Sequence, residues 1–230
     1  PAGRASPVRS KIAYGVGDAG FLMVWQGAAL FLLFFLVEVA GLPPLLAGAI
    51  FLTGMIWDAV SDPLFAAFAE RRAARGRTYA RLVAAAAPLV GLSYAALFLT
   101  PPGPVWVTAI WALLAHLAFR SAYSLASMPY NALPARLSLQ SGERTRFTAA
   151  RVAGAAIGGL AAAAITPMIA GALGDDGAGY AAAGAVLGGL SAGCLLLRGF
   201  GVREAPDAPP VSAGEGGYAR DLAGLWRFMR

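Results

Sequence analysis

The stretch Ile56-Trp-Asp-Ala-Val-Ser-Asp-Pro63 places two carboxylates, Asp58 and Asp62, inside a run that otherwise has the composition of a membrane-spanning helix. Residues four apart lie on one helical face, so both acids are expected to point the same way. A charge at the bilayer centre costs about 2.5 to 3.5 kcal/mol on insertion scales, and neighbouring carboxylates repel each other unless a cation or proton lies between them. The pattern favours a Na⁺ or H⁺ site. The alternative is a water-filled vestibule in which both acids pair with arginines for packing alone.

The composition of the whole chain is that of an integral membrane protein. Of its 230 residues, 58% are hydrophobic and 13% are charged, whereas soluble domains carry about 25% charged residues. The single Cys194 and the single His116 provide neither a disulfide framework nor a zinc ligand set. The sequence offers no nucleophile–base pair or phosphate-binding glycine loop, so we expect no enzyme activity, no catalytic residues and no cofactor besides the coupling ion.

Six apolar runs of spanning length predict six transmembrane helices. They cover about 12–37, 45–69, 82–100, 105–128, 148–173 and 178–197. A polar loop containing Arg136, Glu143, Arg144 and Arg146 is expected after the fourth span. We divide the chain into a six-helix bundle, 1–198, and a cytoplasmic linker, 199–230, whose last residues (218–230) are expected to form a short amphipathic helix on the membrane surface.

The charges between the spans predict the orientation. The loops after the first, third and fifth spans contain Glu38, Asp175 and Asp176 but no Lys or Arg. Nearly all basic residues lie in the N-terminus, in the loops after the second and fourth spans, and in the tail. By the positive-inside rule, both termini are expected to be cytoplasmic. The net charge of +6 is explained by this topology, and we expect no nucleic acid partner.

The fourth span carries a polar stripe at steps of four, four, three and four residues. The stripe consists of His116, Arg120, Ser124, Ser127 and Asn131, with Tyr123 beside it. These steps follow one helical face, which is expected to face a cavity or to hydrogen-bond to neighbouring helices. A guanidinium at the depth of Arg120 needs a partner or a ligand, and Asp18, Asp58 and Asp62 are the acids within the spans. His116 is interpreted as a packed helix residue rather than a proton relay.

Three further residues are candidates for the same cavity. Asp18 lies near the start of the first span, and Trp25 follows it seven residues later on the same side. Asp18 has either a substrate or coupling role, or a position close enough to the helix end to be hydrated or to cap against a loop arginine. Trp25 is either an apolar platform for a ligand ring or a packing residue. Arg151, at the start of the fifth span, either reaches the cavity or extends to the cytoplasmic interface.

Several motifs occur in an order that resembles a known family. They are Lys11-Ile-Ala-Tyr-Gly-Val-Gly17, Val39-Ala-Gly-Leu-Pro43, Ile56-Trp-Asp-Ala-Val-Ser-Asp-Pro63, Met128-Pro-Tyr-Asn-Ala-Leu-Pro134, and Glu143-Arg-Thr-Arg146 with Arg151. Together they resemble the glycoside-pentoside-hexuronide cation symporters, the melibiose-carrier family of the major facilitator superfamily. The resemblance implies two six-helix halves with substrate bound between them. This chain is similar to the N-terminal half plus linker, so it is expected to be truncated before a C-terminal half.

The resemblance also implies roles for individual residues. Asp58 and Asp62 match the acids that coordinate Na⁺, Li⁺ or H⁺, with Na⁺ as the metal if coupling is to sodium, and Ser124 matches an assisting hydroxyl residue. Tyr123 and Arg151 match residues of the sugar site, to which Ser127 and Asn131 also align. The family's helix-one aspartate aligns with Leu22, one turn after Asp18, so melibiose itself is not the expected substrate.

Arg120 has no counterpart in the family's sugar site. It raises the hypothesis of an anionic substrate, such as a hexuronide or a sulfonated sugar.

The expected fold is an all-α, polytopic membrane protein whose six-helix bundle is the N-terminal half of a major facilitator transporter. The expected function is Na⁺- or H⁺-coupled symport of a sugar or glycoside across the inner membrane by alternating access. The expected partners are the small-molecule substrate, membrane lipid and the C-terminal half. Two alternatives are a lysolipid symporter of the same superfamily and a non-transporting six-helix scaffold or sensor.

Overall fold

The computed structural model describes residues 8–137, 141–174 and 176–201, and these form six long helices. The helices are α1 (Val8–Phe34), α2 (Pro44–Ala74), α3 (Tyr79–Ala96), α4 (Val105–Leu137), α5 (Ser141–Ala172) and α6 (Gly177–Gly201). A π-helical segment, Phe35–Val39, extends α1 before the turn into α2. The expected linker and surface helix lie outside the described residues, apart from the last turn of α6.

All six helices are long and apolar enough to cross a membrane. This confirms the all-α prediction and the number of spans. Helices suit a membrane because each one satisfies its own backbone hydrogen bonds within the hydrocarbon region.

The helix ends differ from the predicted spans. Because α4 continues to Leu137 and α5 begins at Ser141, the four residues predicted for the polar loop between them, Arg136, Glu143, Arg144 and Arg146, lie in helices, and that prediction is wrong. Hydropathy marks only the apolar part of a helix, whereas the helix itself can continue beyond the bilayer. Pro129 and Pro134 do not end α4, although proline removes a backbone donor.

The helices pack in a specific pairing. α1 contacts α5 and α6, α3 contacts α4 and α6, and α2 contacts the rest of the bundle chiefly through α4. Both carboxylates of the Asp58/Asp62 pair therefore belong to the helix that is least enclosed by the described bundle. This arrangement leaves space between α1, α2, α4 and α5, where the polar residues of the spans meet.

Glycines allow the closest helix contacts. The α-carbons of Gly154 and Gly158 on α5 lie against the backbone of Gly15 and Ala19 on α1, and Gly188 on α6 lies against Gly91 on α3. A side chain at any of these points would overlap backbone atoms of the neighbouring helix. Small residues are expected to bring membrane helices together in this way.

Replacing Gly154 by Ala is expected to destabilise the bundle by about 1 to 3 kcal/mol, because the added methyl group would force α1 and α5 apart. Thermal unfolding of the purified protein in detergent measures the effect as a lower melting temperature. Gly189→Ala is the matched control, since a Cβ atom there meets no heavy atom within 4 Å. An equal loss of stability in both variants would contradict the close α1–α5 contact.

Candidate functional site

A cavity of about 150 Å³ lies between α1, α2, α4 and α5. Every residue predicted for the cation and substrate sites lines it, except Arg120. These residues are Asp18, Trp25, Asp58, Asp62, Tyr123, Ser124, Ser127, Asn131 and Arg151. Polar and aromatic side chains from four different helices thus line one cavity.

The face of α2 that carries the two acids meets the polar stripe of α4 at two levels. Arg120 donates from Nη1 to Asp58 Oδ2 at 2.6 Å, and one turn further along, Ser124 donates from Oγ to Asp62 Oδ1. Since both pairs of residues are spaced by four on their own helices, the two helices run side by side through this contact. We call these four residues the α2–α4 seam.

Arg120 is buried behind the cavity wall. The residue is 7% exposed, and its guanidinium lies 4.6 Å from the centre of the Trp25 ring, in the geometry of a cation–π contact. The partner that a guanidinium at this depth requires is therefore Asp58, one of the three acids considered from the sequence.

Two buried oxygen atoms of residues that line the cavity have no hydrogen-bond partner among the described residues. They are Asp58 Oδ1 and Ser127 Oγ. Carboxylate and hydroxyl oxygens are the ligands that hard cations take in proteins. Asp58 and Ser127 can therefore offer oxygens to a small cation.

On the opposite side of the cavity, Arg151 connects three helices. Its Nε donates to Asp18 Oδ1 at 3.1 Å, and its Nη2 donates to Asn131 Oδ1 at 3.0 Å. The guanidinium also lies 5.4 Å from the centre of the Tyr130 ring. Of the two positions expected for the Arg151 side chain, it occupies the cavity rather than the cytoplasmic interface. The Asp18 carboxylate is buried and paired with Arg151 rather than hydrated.

Aromatic rings form the wall between the two polar clusters. The Trp25 and Tyr123 rings are 4.9 Å apart, and Phe21 contacts Tyr123 edge-on at 5.4 Å. An apolar surface beside charged groups suits a ligand with one apolar face and several hydroxyl groups.

Four residues of the cavity wall were not predicted from the sequence. Phe21, Leu22, Met128 and Tyr130 line the cavity. Phe21 and Leu22 lie one turn from both Asp18 and Trp25, so helical periodicity alone could have identified them.

His116 lies outside the cavity lining. It is fully buried, its ring lies 5.7 Å from that of Phe51, and it fills the space beside Gly54. This position agrees with the interpretation of His116 as a packed helix residue.

Tyr14 on α1 and Tyr130 on α4 exchange hydrogen bonds. Tyr130 donates from its hydroxyl to the carbonyl oxygen of Tyr14 at 2.7 Å, and Tyr14 donates to the carbonyl oxygen of Tyr130 at 3.3 Å. Their rings stack at 4.7 Å. Since Tyr130 also lines the cavity, this contact fixes the distance between two walls of the site.

Comparison with known proteins gives one family match and several relatives. A family model described as MFS/sugar transport protein matches residues 13–228. An uncharacterized symporter of Synechocystis is 30% identical over 88% of this chain and 39% of its own. A putative glycoside/cation symporter of Escherichia coli is 30% identical over 96% of this chain and 49% of its own. A sodium-dependent lysophosphatidylcholine symporter of Gallus gallus is 28% identical over 90% of this chain and 46% of its own. The chain spans half or less of the length of these relatives.

Proposed function

The chain belongs to the family of MFS/sugar transport proteins, and from this premise we propose that it is the N-terminal half of a symporter for a sugar or glycoside and Na⁺ or H⁺. The family is one of transporters rather than enzymes. The observation that carries the proposal is that the Asp58/Asp62 pair and the Asp18–Arg151 pair line the same cavity. A cation and a substrate bound there would be close enough for each to affect the affinity of the other.

The cation site is proposed at Asp58, Asp62 and Ser124. The two acids lie on one face of α2, and Ser124 already bonds to Asp62. A monovalent cation or a proton between the carboxylates would relieve their repulsion.

The substrate site is proposed at the other side of the cavity, where Asp18, Asn131 and Arg151 provide hydrogen-bonding groups and Trp25 and Tyr123 provide an apolar face. Ser127 adds a buried hydroxyl with no partner among the described residues. Hydroxyl groups of a sugar can both donate to Asp18 and accept from Arg151.

Alternating access is the proposed mechanism. The cation would raise the affinity for substrate, and by linkage the substrate would tighten the cation to the same extent. A second six-helix half would close the cavity, and the two halves would rock about the bound substrate. We place the protein in the inner membrane with both termini cytoplasmic, as the distribution of basic residues favours, and 199–230 as the linker between halves.

The charges around the cavity bear on the class of substrate. Among the described residues, the charges of Asp18, Asp58 and Asp62 around the cavity are balanced by those of Arg120 and Arg151, so the ionised groups leave an excess of one negative charge. This excess favours a neutral glycoside when no cation is bound. An anionic sugar such as a hexuronide would bind best after a cation has entered and cancelled this excess.

A lysolipid is the second candidate substrate, because a sodium-dependent lysophosphatidylcholine symporter aligns with 90% of this chain. The polar cavity walls and its aromatic face support the sugar, whereas a long acyl chain would need a further apolar groove. A non-transporting scaffold is the remaining alternative, and it requires that the buried acids tolerate substitution.

Uptake into proteoliposomes containing the full-length protein tests the proposal. We expect uptake of a radiolabelled glycoside to rise several-fold when an inward Na⁺ or H⁺ gradient is imposed, and unlabelled glycosides to compete with it. Competition by lysophosphatidylcholine but by no sugar would favour the lysolipid function. If uptake of both substrates does not depend on the gradient and equals that of empty liposomes, the non-transporting scaffold would be the remaining function.

A further inference from the structure

The ion pair between Arg120 and Asp58 is incomplete on both sides. One hydrogen bond, from Nη1 to Oδ2 at 2.6 Å, joins groups that can form two parallel bonds. Asp58 Oδ1 and Arg120 Nε are buried without a partner among the described residues. A buried pair that serves structure alone is expected to satisfy its remaining polar atoms. The guanidinium therefore holds Asp58 through only one of its two carboxylate oxygens.

The Arg120 guanidinium also has a second contact. It lies 4.6 Å from the centre of the Trp25 ring, and Trp25 lines the cavity. Arginine retains its charge at any physiological pH, and its planar group can rest on an aromatic face. The guanidinium could therefore move away from Asp58 toward the cavity and keep this contact.

A coupling cation would require the same carboxylate. Asp58 and Asp62 are four residues apart on α2, so a cation shared by both would lie within a few ångströms of the guanidinium on Asp58. Like charges at such a distance repel strongly where water is scarce. Occupancy of Asp58 by the guanidinium and by the cation should therefore exclude each other.

We propose that Arg120 is a built-in competitor of the coupling cation for Asp58, and that it determines how tightly, and therefore how selectively, the cation binds. When the cation binds, the guanidinium leaves Asp58 and turns toward the substrate while it keeps its contact with Trp25. The inference rests on the proposed function, because it needs Asp58 to be a cation ligand. It adds a specificity-determining residue to the acids and the serine assigned above.

Isothermal titration of Na⁺ into the purified full-length protein, without substrate, tests the competition. We expect Arg120→Gln to bind Na⁺ about tenfold more tightly than the unmodified protein, because Asp58 is released. The direction of the change in Na⁺ affinity is informative, since damage to the fold would weaken Na⁺ binding rather than strengthen it. Unchanged or weaker Na⁺ binding in Arg120→Gln, or no binding in either protein, would overturn the proposal.

Three further variants complete the experiment. Arg71→Gln removes one positive charge from an exposed position of α2, and its Na⁺ affinity should equal that of the unmodified protein. If Arg120→Gln does not fold, Arg120→Lys replaces it. An intermediate gain in Na⁺ affinity is then expected, because an ammonium group pairs less strongly with a carboxylate; no gain overturns the proposal.

Asp62→Asn distinguishes a failure of the proposed cation site from a failure of the competition alone. If it binds Na⁺ normally, the proposed cation site fails; if it loses Na⁺ while Arg120→Gln shows no gain, the competition alone fails.

Discussion

Replacing Asp62 by Asn is expected to reduce cation-stimulated uptake about 10- to 100-fold. An interaction with a charged group contributes about 1.5 to 3 kcal/mol, and each 1.4 kcal/mol corresponds to a factor of ten in affinity. Asn keeps the size of the side chain and can still accept the hydrogen bond from Ser124, so the bundle should fold normally. The measurement is initial uptake rate against Na⁺ concentration and against the pH gradient.

Glu70→Gln is the matched control for Asp62→Asn. It removes one carboxylate from an exposed position of the same helix and is expected to leave the cation dependence of uptake unchanged. Asp58→Asn is a less specific variant, because it would leave Arg120 as an unpaired buried charge and so lower stability as well as activity. Unaltered Na⁺ and H⁺ dependence in Asp62→Asn would show that α2 does not hold the coupling ion.

Replacing Arg151 by Gln is expected to raise the KM for substrate about 10- to 100-fold, by the same conversion of one charge-assisted contact. The guanidinium has five N–H donors, and its bonds to Asp18 and Asn131 use two of them. The remaining donors can reach hydroxyl groups of a substrate. Concentration-dependent uptake gives KM, and Na⁺ titration without substrate should show an affinity close to that of the unmodified protein.

The double variant Asp18→Asn/Arg151→Gln distinguishes binding from folding. The single variant Arg151→Gln leaves the Asp18 carboxylate without its partner, which should lower the melting temperature. The double variant removes both charges of the pair, so its melting temperature should return toward that of the unmodified protein. Substrate affinity should remain low, because both proposed recognition groups are lost. Recovery of KM together with stability would show that the pair only holds α1 and α5 together.

Helical periodicity explains why many of the residues that line the cavity could be predicted. Asp58 and Asp62, and likewise Arg120 and Ser124, are four residues apart, and such spacing places side chains on one face whatever the neighbouring helices do. The shared cavity follows, because buried polar groups in a membrane must face one another or water.

The partner of Arg120 could not be predicted in the same way. Three acids within the spans were available to it, and the choice of Asp58 depends on the tilt and rotation of α2 relative to α4. Those angles are set by packing of whole helices rather than by spacing along one of them. The helix ends were also misjudged at Arg136 and Arg146, because an α-helix can continue past the apolar residues that define its span.

The limited packing of α2 has a consequence for local stability. This helix contacts the described bundle chiefly through α4, and its two hydrogen bonds with α4 in the seam involve the residues of the proposed cation site. Segments with few packed neighbours open locally at a lower free-energy cost than the rest of a protein, and a ligand bound at such a contact raises that cost. The backbone amides of α2 should therefore exchange hydrogen more slowly when the cation is bound. The coupling ion would thus act as a stabiliser of one helix as well as a transported species.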